Sequence, residues 1–388
     1  MVYPYNAEFT PMLRYKNSYP KVRNYVCVSP KGWGFHEQDV GYADGSEPLG
    51  IIVKYGFEDA LNEVALVIIS DISPFNISRN NTALFIKFRI DLLQKIEMAI
   101  RSGKNIICYF ALSNEEQSYF ASLCGENGTE FHYARRNDVK ITDIISAVEL
   151  KKIATPIVFV AGLFENTDKF NIQLSLKHHL EQAGYQVSGI LSRNYTTLGA
   201  MHGLPDFMTD GTISDREKVL SFNHYIYEIE NEENPDIIMI GLPDGVMTAK
   251  ENMLSNFGVL PFMISNAVQP DFAVLSVNYS DIKVPDFYGE LMNLIKYRLG
   301  FSIDCFAVTN REIDWNKSRD SKDFCYYTRT SAEVDQFIDA MNARPAPFFN
   351  LKKGCDMQQM AKFLISQLSE ETHVDMLIKG EFRYAKPN

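Results

Sequence analysis

A chain of 388 residues is longer than one hydrophobic core usually supports, so two domains are expected. A net charge of −11, with no basic run, argues against a sequence-independent grip on nucleic acid, which needs clustered Lys and Arg. No apolar run reaches the ~18 residues that span a bilayer, and the opening MVYPYNAEF lacks the basic and apolar regions of a signal peptide, so a cytoplasmic protein without a membrane partner is expected.

In chain order, Met1 to Asn6 reads as a strand and Glu8 to Lys16 as a helix with Pro11 in its first turn. Asn24 to Val28 reads as a second strand. Ser29 to Gly50 is rich in glycine and has little periodicity, so it reads as a long loop. Its aromatic residues argue against disorder. Strands then follow at Ile51 to Val53, Ala65 to Ile69, Asn105 to Phe110 and Phe131 to Ala134. Helices alternate with them: Phe57 to Val64, Ala83 to Ser102 closed by Gly103, and one capped by Ser113 with Glu116 completing a capping box. Asp138 to Ala154 reads as a helix, and a domain boundary is placed there.

The second unit opens on Ile157 to Val160, a β-branched run that reads as a buried parallel strand. Beyond Gly162 the apolar period changes, and Phe170, Ile172, Leu174, Leu176 and Leu180 suit a helix packed on a sheet. Val187 to Leu191, Pro235 to Ile240, Val259 to Ser265, Phe272 to Val277 and Ile303 to Thr309 read as further strands. Thr196 to Gly211 reads as a loop. Ser214 to Glu230, Phe287 to Leu299, Ala332 to Ala343 and Met357 to Leu368 read as helices. This alternation predicts an α/β fold of two doubly wound, mainly parallel-sheet domains. Residues 1–150 would be Rossmann-like and residues 151–388 phosphate-loop-like in a degenerate form. Cys27, Cys108 and Cys305 lie inside strands, and no C-x-x-C occurs, so reduced thiols are expected and no metal site.

Strand, tight loop, lysine and helix over Gly162 to Lys169 is the layout of a phosphate-binding loop. The consensus G-x-x-x-x-G-K-[ST] is not met. Gly162 lies one position too far from Lys169, Asp168 stands where the second glycine would, and Phe170 replaces the hydroxyl that holds Mg²⁺. Candidate nucleotide- or anion-binding residues are Gly162, Glu165, Asn166, Thr167, Asp168 and Lys169, with Asp244 after the Pro235 strand and Asn310 at another strand end. The alternatives are a βα turn in which Asp168 merely caps the helix, and a local Pro–Asp–Gly turn at Asp244. A second set lies in the long loop: Lys31, Trp33, His36, Asp39, Tyr42 and Asp44. Arg193 could meet an anion, and His202 could pair with Asp206. No H-E-x-x-H, G-x-S-x-G or Cys/His nucleophile pattern appears. Asn278 and Arg311 lie at strand ends that face the same rim.

The segments Ser29 to Gly45, Gly162 to Leu176 and Pro235 to Gly245 together resemble the peptide maturation system proteins of clostridial bacteria, which are encoded beside radical SAM enzymes and precursor peptides. The second half is more distantly similar to the phosphate-loop fold of the dethiobiotin-synthetase type. The first resemblance implies an accessory role in making a ribosomally synthesised, post-translationally modified peptide, with a radical SAM maturase and the precursor peptide as partners. It assigns no catalytic residue, leaves the cofactor open and allows a homodimer. The second implies an alternative, an ATP-dependent enzyme that activates a carboxylate, with Lys169 on the phosphates and Asp244 on Mg²⁺. A metal-dependent hydrolase using the Asp and His loops is a third.

Overall fold

The computed structural model describes residues 1–18, 22, 24–72, 82–134, 149–195, 198, 201–248, 258–280, 286–321, 324–341 and 344–369. The first sheet is built from β1 (Val2–Tyr3), β2 (Cys27–Val28), β3 (Val53–Lys54), β4 (Leu66–Ile69), β5 (Asn105–Cys108) and β6 (Phe131–Tyr133). Its order is β3-β2-β1-β4-β5-β6, and every pairing is parallel. That is the order of a dinucleotide-binding sheet, which reverses between β1 and β4.

The second sheet contains β7 (Ile157–Gly162), β8 (Val187–Ile190), β9 (Ile237–Gly241), β10 (Phe272–Tyr279), β11 (Cys305–Ile313), β12 (Tyr326–Thr328) and β13 (Phe348–Asn350). The order is β12-β11-β10-β7-β9-β8, with β13 also paired to β11. Only β12 runs antiparallel, along the end of β11. The expected α/β class with two mainly parallel sheets therefore holds. Residues 138–148 of the helix expected over Asp138 to Ala154, and part of the loop Thr196 to Gly211, lie outside the described residues; Glu149 to Ala154, which are described, are not helical.

The core explains why these strands read as apolar runs. Side chains alternate across a strand. Val158 and Val160 enter a central core shared with the first sheet, whereas Ile157, Phe159 and Ala161 enter the outer core of the second. The helix Lys169–Gln182 lies in the shared layer and is buried on nearly every side. Its Phe170, Ile172, Leu174 and Leu176 meet Val2, Phe9 and Met12 of the first unit in one cluster. The first sheet's other face has its own core around Val67, Ile96 and Phe110.

One predicted strand is a helix. Val259–Ala267 is helical, with Pro261 in its first turn. Val259 and Phe262 are exposed while Met263 and Ile264 are buried, a one-sided pattern that a short apolar run does not reveal. The expected loop Ser29 to Gly50 also carries a one-turn helix, Val40–Ala43, capped by Asp39.

Candidate functional site

A cleft of about 710 Å³ opens where the carboxyl ends of both sheets meet. The first unit contributes Glu8, beyond β1, Asp71, beyond β4, and Leu112, beyond β5. The second contributes the loop after β7, Ser192 and Arg193 after β8, and Pro243 and Asp244 after β9. Ligands of open α/β sheets bind beyond the carboxyl ends of strands, where the strand order reverses. Here the reversal of the first sheet faces the same space as the phosphate-loop-like turn of the second. The turn after β1 is Pro4, Tyr5, Asn6 and lacks the glycine fingerprint of a dinucleotide site.

The loop Gly162 to Lys169 is fixed from three neighbouring strands. Ser276 on β10 donates its hydroxyl to the Thr167 carbonyl. Arg311 on β11 donates to the Asn166 carbonyl at 3.2 Å, and Tyr326 on β12 donates to the Glu165 carbonyl at 2.9 Å. Asn166 and Asp168 both adopt left-handed backbone, with φ of 57° and 59°. Asp168 thus keeps the conformation that the consensus glycine would adopt freely, a region that Asp tolerates better than most residues.

The Asp168 side chain does not cap its helix. It turns to a cationic cluster, where Thr309 donates its hydroxyl to Oδ2 at 2.7 Å. The Arg311 guanidinium lies 3.1 Å away and the Lys352 ammonium 3.4 Å away. Burial opposes its ionisation, but Arg311 and Lys352 outweigh that and hold the carboxyl well below the usual range. Lys352 also reaches Asp44 at 2.5 Å, and Asp44 accepts from Arg14 at 2.9 Å. One chain of charges therefore runs from the first unit into the loop of the second.

Lys169 is the first residue of its helix, where a phosphate-loop lysine stands. Its ammonium donates to the Asp244 backbone carbonyl. Burial lowers its pKa to about 8, against the opposing pull of Asp244 and Glu165. Asp244 is itself left-handed at φ 55°, and a Cβ on the next residue, Gly245, would stand 2.7 Å from the Phe164 Cα. The turn after β9 and the loop after β7 are thus in backbone contact, which only glycine permits. Arg193 pairs with Glu8 at 2.8 Å, across the two units.

Fit to Mg-ATP divides at this point. Lys169 suits an anion. Phe170, at the position of the metal-holding hydroxyl, is buried and packs on Tyr195 with ring centroids 5.5 Å apart. Among the described residues no cluster of three or more His, Cys, Asp or Glu side chains is arranged to hold a metal ion. The loop residues therefore fit an anion and do not fit a magnesium triphosphate held in the consensus manner.

The predicted residues separate into two groups. Glu165, Asn166, Thr167, Asp168, Lys169, Asp244, Arg193 and Asp44 line the cleft. Gly162 supports it from beneath, since a Cβ there would meet Thr167 Oγ1 at 2.3 Å. The rest of the long-loop set lies elsewhere. Trp33 packs on Phe88, and His36 stacks on Tyr55 with centroids 3.5 Å apart. Asp39 is buried and accepts backbone N–H bonds from Gly41, Leu49 and Ile51, so it shapes its own loop. Tyr42 and Lys31 are exposed away from the cleft. His202 bonds Glu233 at 2.5 Å, in place of the expected Asp206, and does not line the cleft. Asn310 is a brace, donating to the carbonyls of Arg329 and Asp44. Sequence reasoning passed over Glu8, Asp71 and Lys352. Nothing local marks Lys352, because its role arises from where β13 delivers it.

No protein-family model and no curated protein sequence matches the chain. Among solved structures, it is similar to a DUF1611 family protein from Anabaena variabilis, with a TM-score of 0.55 and 12% identity, over 92% of this chain and 94% of that one. It also aligns with a cobyrinic acid a,c-diamide synthase from Mycobacterium smegmatis, solved with ADP and magnesium, with a TM-score of 0.33 and 12% identity, over 56% of this chain and 97% of that one. The first likeness extends over nearly the whole of both chains and is one of fold: two α/β units with mainly parallel sheets, Rossmann-like and then phosphate-loop-like.

Proposed function

We propose that this chain is an accessory protein in the maturation of a ribosomally synthesised, modified peptide. It acts with a radical SAM enzyme and holds its ligand, a peptide or a nucleotide, in the cleft between the two sheets. The observation that carries the binding part of this reading is the convergence of both sheets' carboxyl ends on one cleft. The maturation part rests on the resemblance of the three sequence segments. Phe170 in the core supports a receptor over a hydrolase, because the position after Lys169 offers no hydroxyl for the metal. Co-expression with a radical SAM enzyme and a precursor peptide of the kind the resemblance implies tests the reading. Co-purification of either, lost on Arg193→Glu within the cleft, is expected, and a chain that purifies alone under all conditions contradicts it.

A second reading is an ATP-dependent carboxylate-activating enzyme. The contact of Lys169 with the turn bearing Asp244 favours it. Calorimetry with ATP and Mg²⁺ separates the two. Binding that disappears in Lys169→Ala supports the enzyme, and no heat at millimolar ATP removes it.

A further inference from the structure

The four cations that line the cleft are Lys169, Arg193, Arg311 and Lys352, and each has an acceptor from the chain itself. Three of these acceptors are expected of an ordinary fold: a carbonyl for Lys169, and Glu8 and Asp44 carboxylates from the first unit. Asp168 is different. It belongs to the phosphate-loop-like turn, at the position where the consensus has no side chain at all. Its carboxylate takes a hydroxyl from Thr309, a guanidinium from Arg311 and an ammonium from Lys352. Planar guanidinium, ammonium and hydroxyl converging on two oxygens is the donor set that binds an external carboxylate or phosphate. The Lys352 side chain is 2% exposed and that of Asp168 11% exposed, so this seat is built into the protein and is no accident of surface side chains.

We infer that Asp168 is a built-in anion: its carboxylate fills the seat of Arg311, Lys352 and Thr309 that an external carboxylate or phosphate would otherwise take. The inference rests on the cleft being the ligand site. It narrows the ligand, because a nucleotide whose phosphates need this seat is excluded by the chain's own side chain. A peptide that uses the rest of the cleft is not. It also explains why the loop departs from the consensus while keeping the left-handed backbone: the glycine conformation is retained and the glycine's empty space is used for charge.

The test is to empty the seat. Asp168→Gly restores the consensus residue at a backbone conformation that glycine adopts without strain. Inorganic phosphate is titrated calorimetrically into wild type and variant, each checked for folding by circular dichroism. Wild type is expected to give no saturable heat at millimolar phosphate. Asp168→Gly is expected to bind at least tenfold more tightly than wild type, and to lose that gain when Lys352→Met is added. Asp168→Ala, which also removes the carboxylate from the seat, carries the same comparison if the glycine variant does not fold. Phosphate binding by wild type as tight as that of the variants overturns the inference, as does a folded variant with no gain. The titration contains no peptide, so its failure leaves the maturation reading standing, and a failed co-purification leaves the seat standing.

Discussion

Lys169 and Asp168 are consecutive, the first buried and the second largely so, and their charges are maintained by different means. Asp168 has two cationic partners, and removing its charge leaves the half-buried Arg311 without its anion and the buried Lys352 with Asp44 alone. Breaking a fully buried pair from one side costs ~3–5 kcal/mol; with Arg311 partly exposed and Lys352 still paired to Asp44, Asp168→Asn should lose part of that in denaturant unfolding. The depressed pKa gives the sign of the pH effect. The stabilisation is present above the ordinary aspartate value and is lost as pH falls toward the folded one. Lys169 behaves oppositely. Its pKa is lowered to about 8 from 10.5 in the folded chain, so the unfolded chain binds the proton more tightly. The resulting destabilisation is full below about pH 8 and is relieved as pH rises toward 10.5. Wild type should therefore gain stability relative to Lys169→Met across that window, and parallel stability curves for the two would refute the assignment. The sequence showed that Asp168 breaks the consensus beside a retained lysine, Lys169. It did not show where the Asp168 carboxylate goes, because its partners come from β11 and from the turn after β13, some 140 to 180 positions later.

At the scale of elements, the helix Lys169–Gln182 is where the phosphate-loop pattern and the packing of this protein disagree. Its second residue, Phe170, is core. Phe170→Ser would restore the consensus hydroxyl, yet we expect a loss of ~3–5 kcal/mol from the cavity and no gain in magnesium-dependent nucleotide binding, read by thermal unfolding and calorimetry. Strand β8 depends on a glycine. Gly189 has φ 138°, and a Cβ there would stand 2.0 Å from the Met239 carbonyl oxygen on β9. Gly189→Ala should separate β8 from β9 and lower the melting temperature sharply, whereas Gly211→Ala, with nothing near its Cβ, should not. Helices with capping boxes at Ser113 and Ser214 were legible, because cap and partner are three residues apart. Val259–Ala267 was not, because a short apolar run looks alike in strand and helix until its exposed face is seen. The strands β12 and β13 were missed for a similar reason. Each has three residues and is defined by its pairing with β11.

For the whole molecule, the alternation of strands and helices gave the α/β class, and the strand orders came only with the structure. Pairing β1 with β4 and β7 with β10 joins residues far apart in the chain. Those pairings make the two reversal points, and the shared core around the helix Lys169–Gln182 aims both at one cleft. Eight candidate residues line the cleft, and five of them, Glu165 to Lys169, lie on the recognisable loop. The long-loop set, apart from Asp44, lies off the cleft, and glycine and aromatic content marks an ordered loop without saying what it faces. Hydrogen exchange on the intact chain, with and without the precursor peptide, tests the cleft most directly. The account predicts slowed exchange in residues 162–169, 191–195 and 241–245, around the carboxyl ends of β7, β8 and β9, and around Glu8, Asp71 and Leu112 on the facing side of the cleft. Unchanged exchange there, with protection by the peptide on a different face, would contradict it.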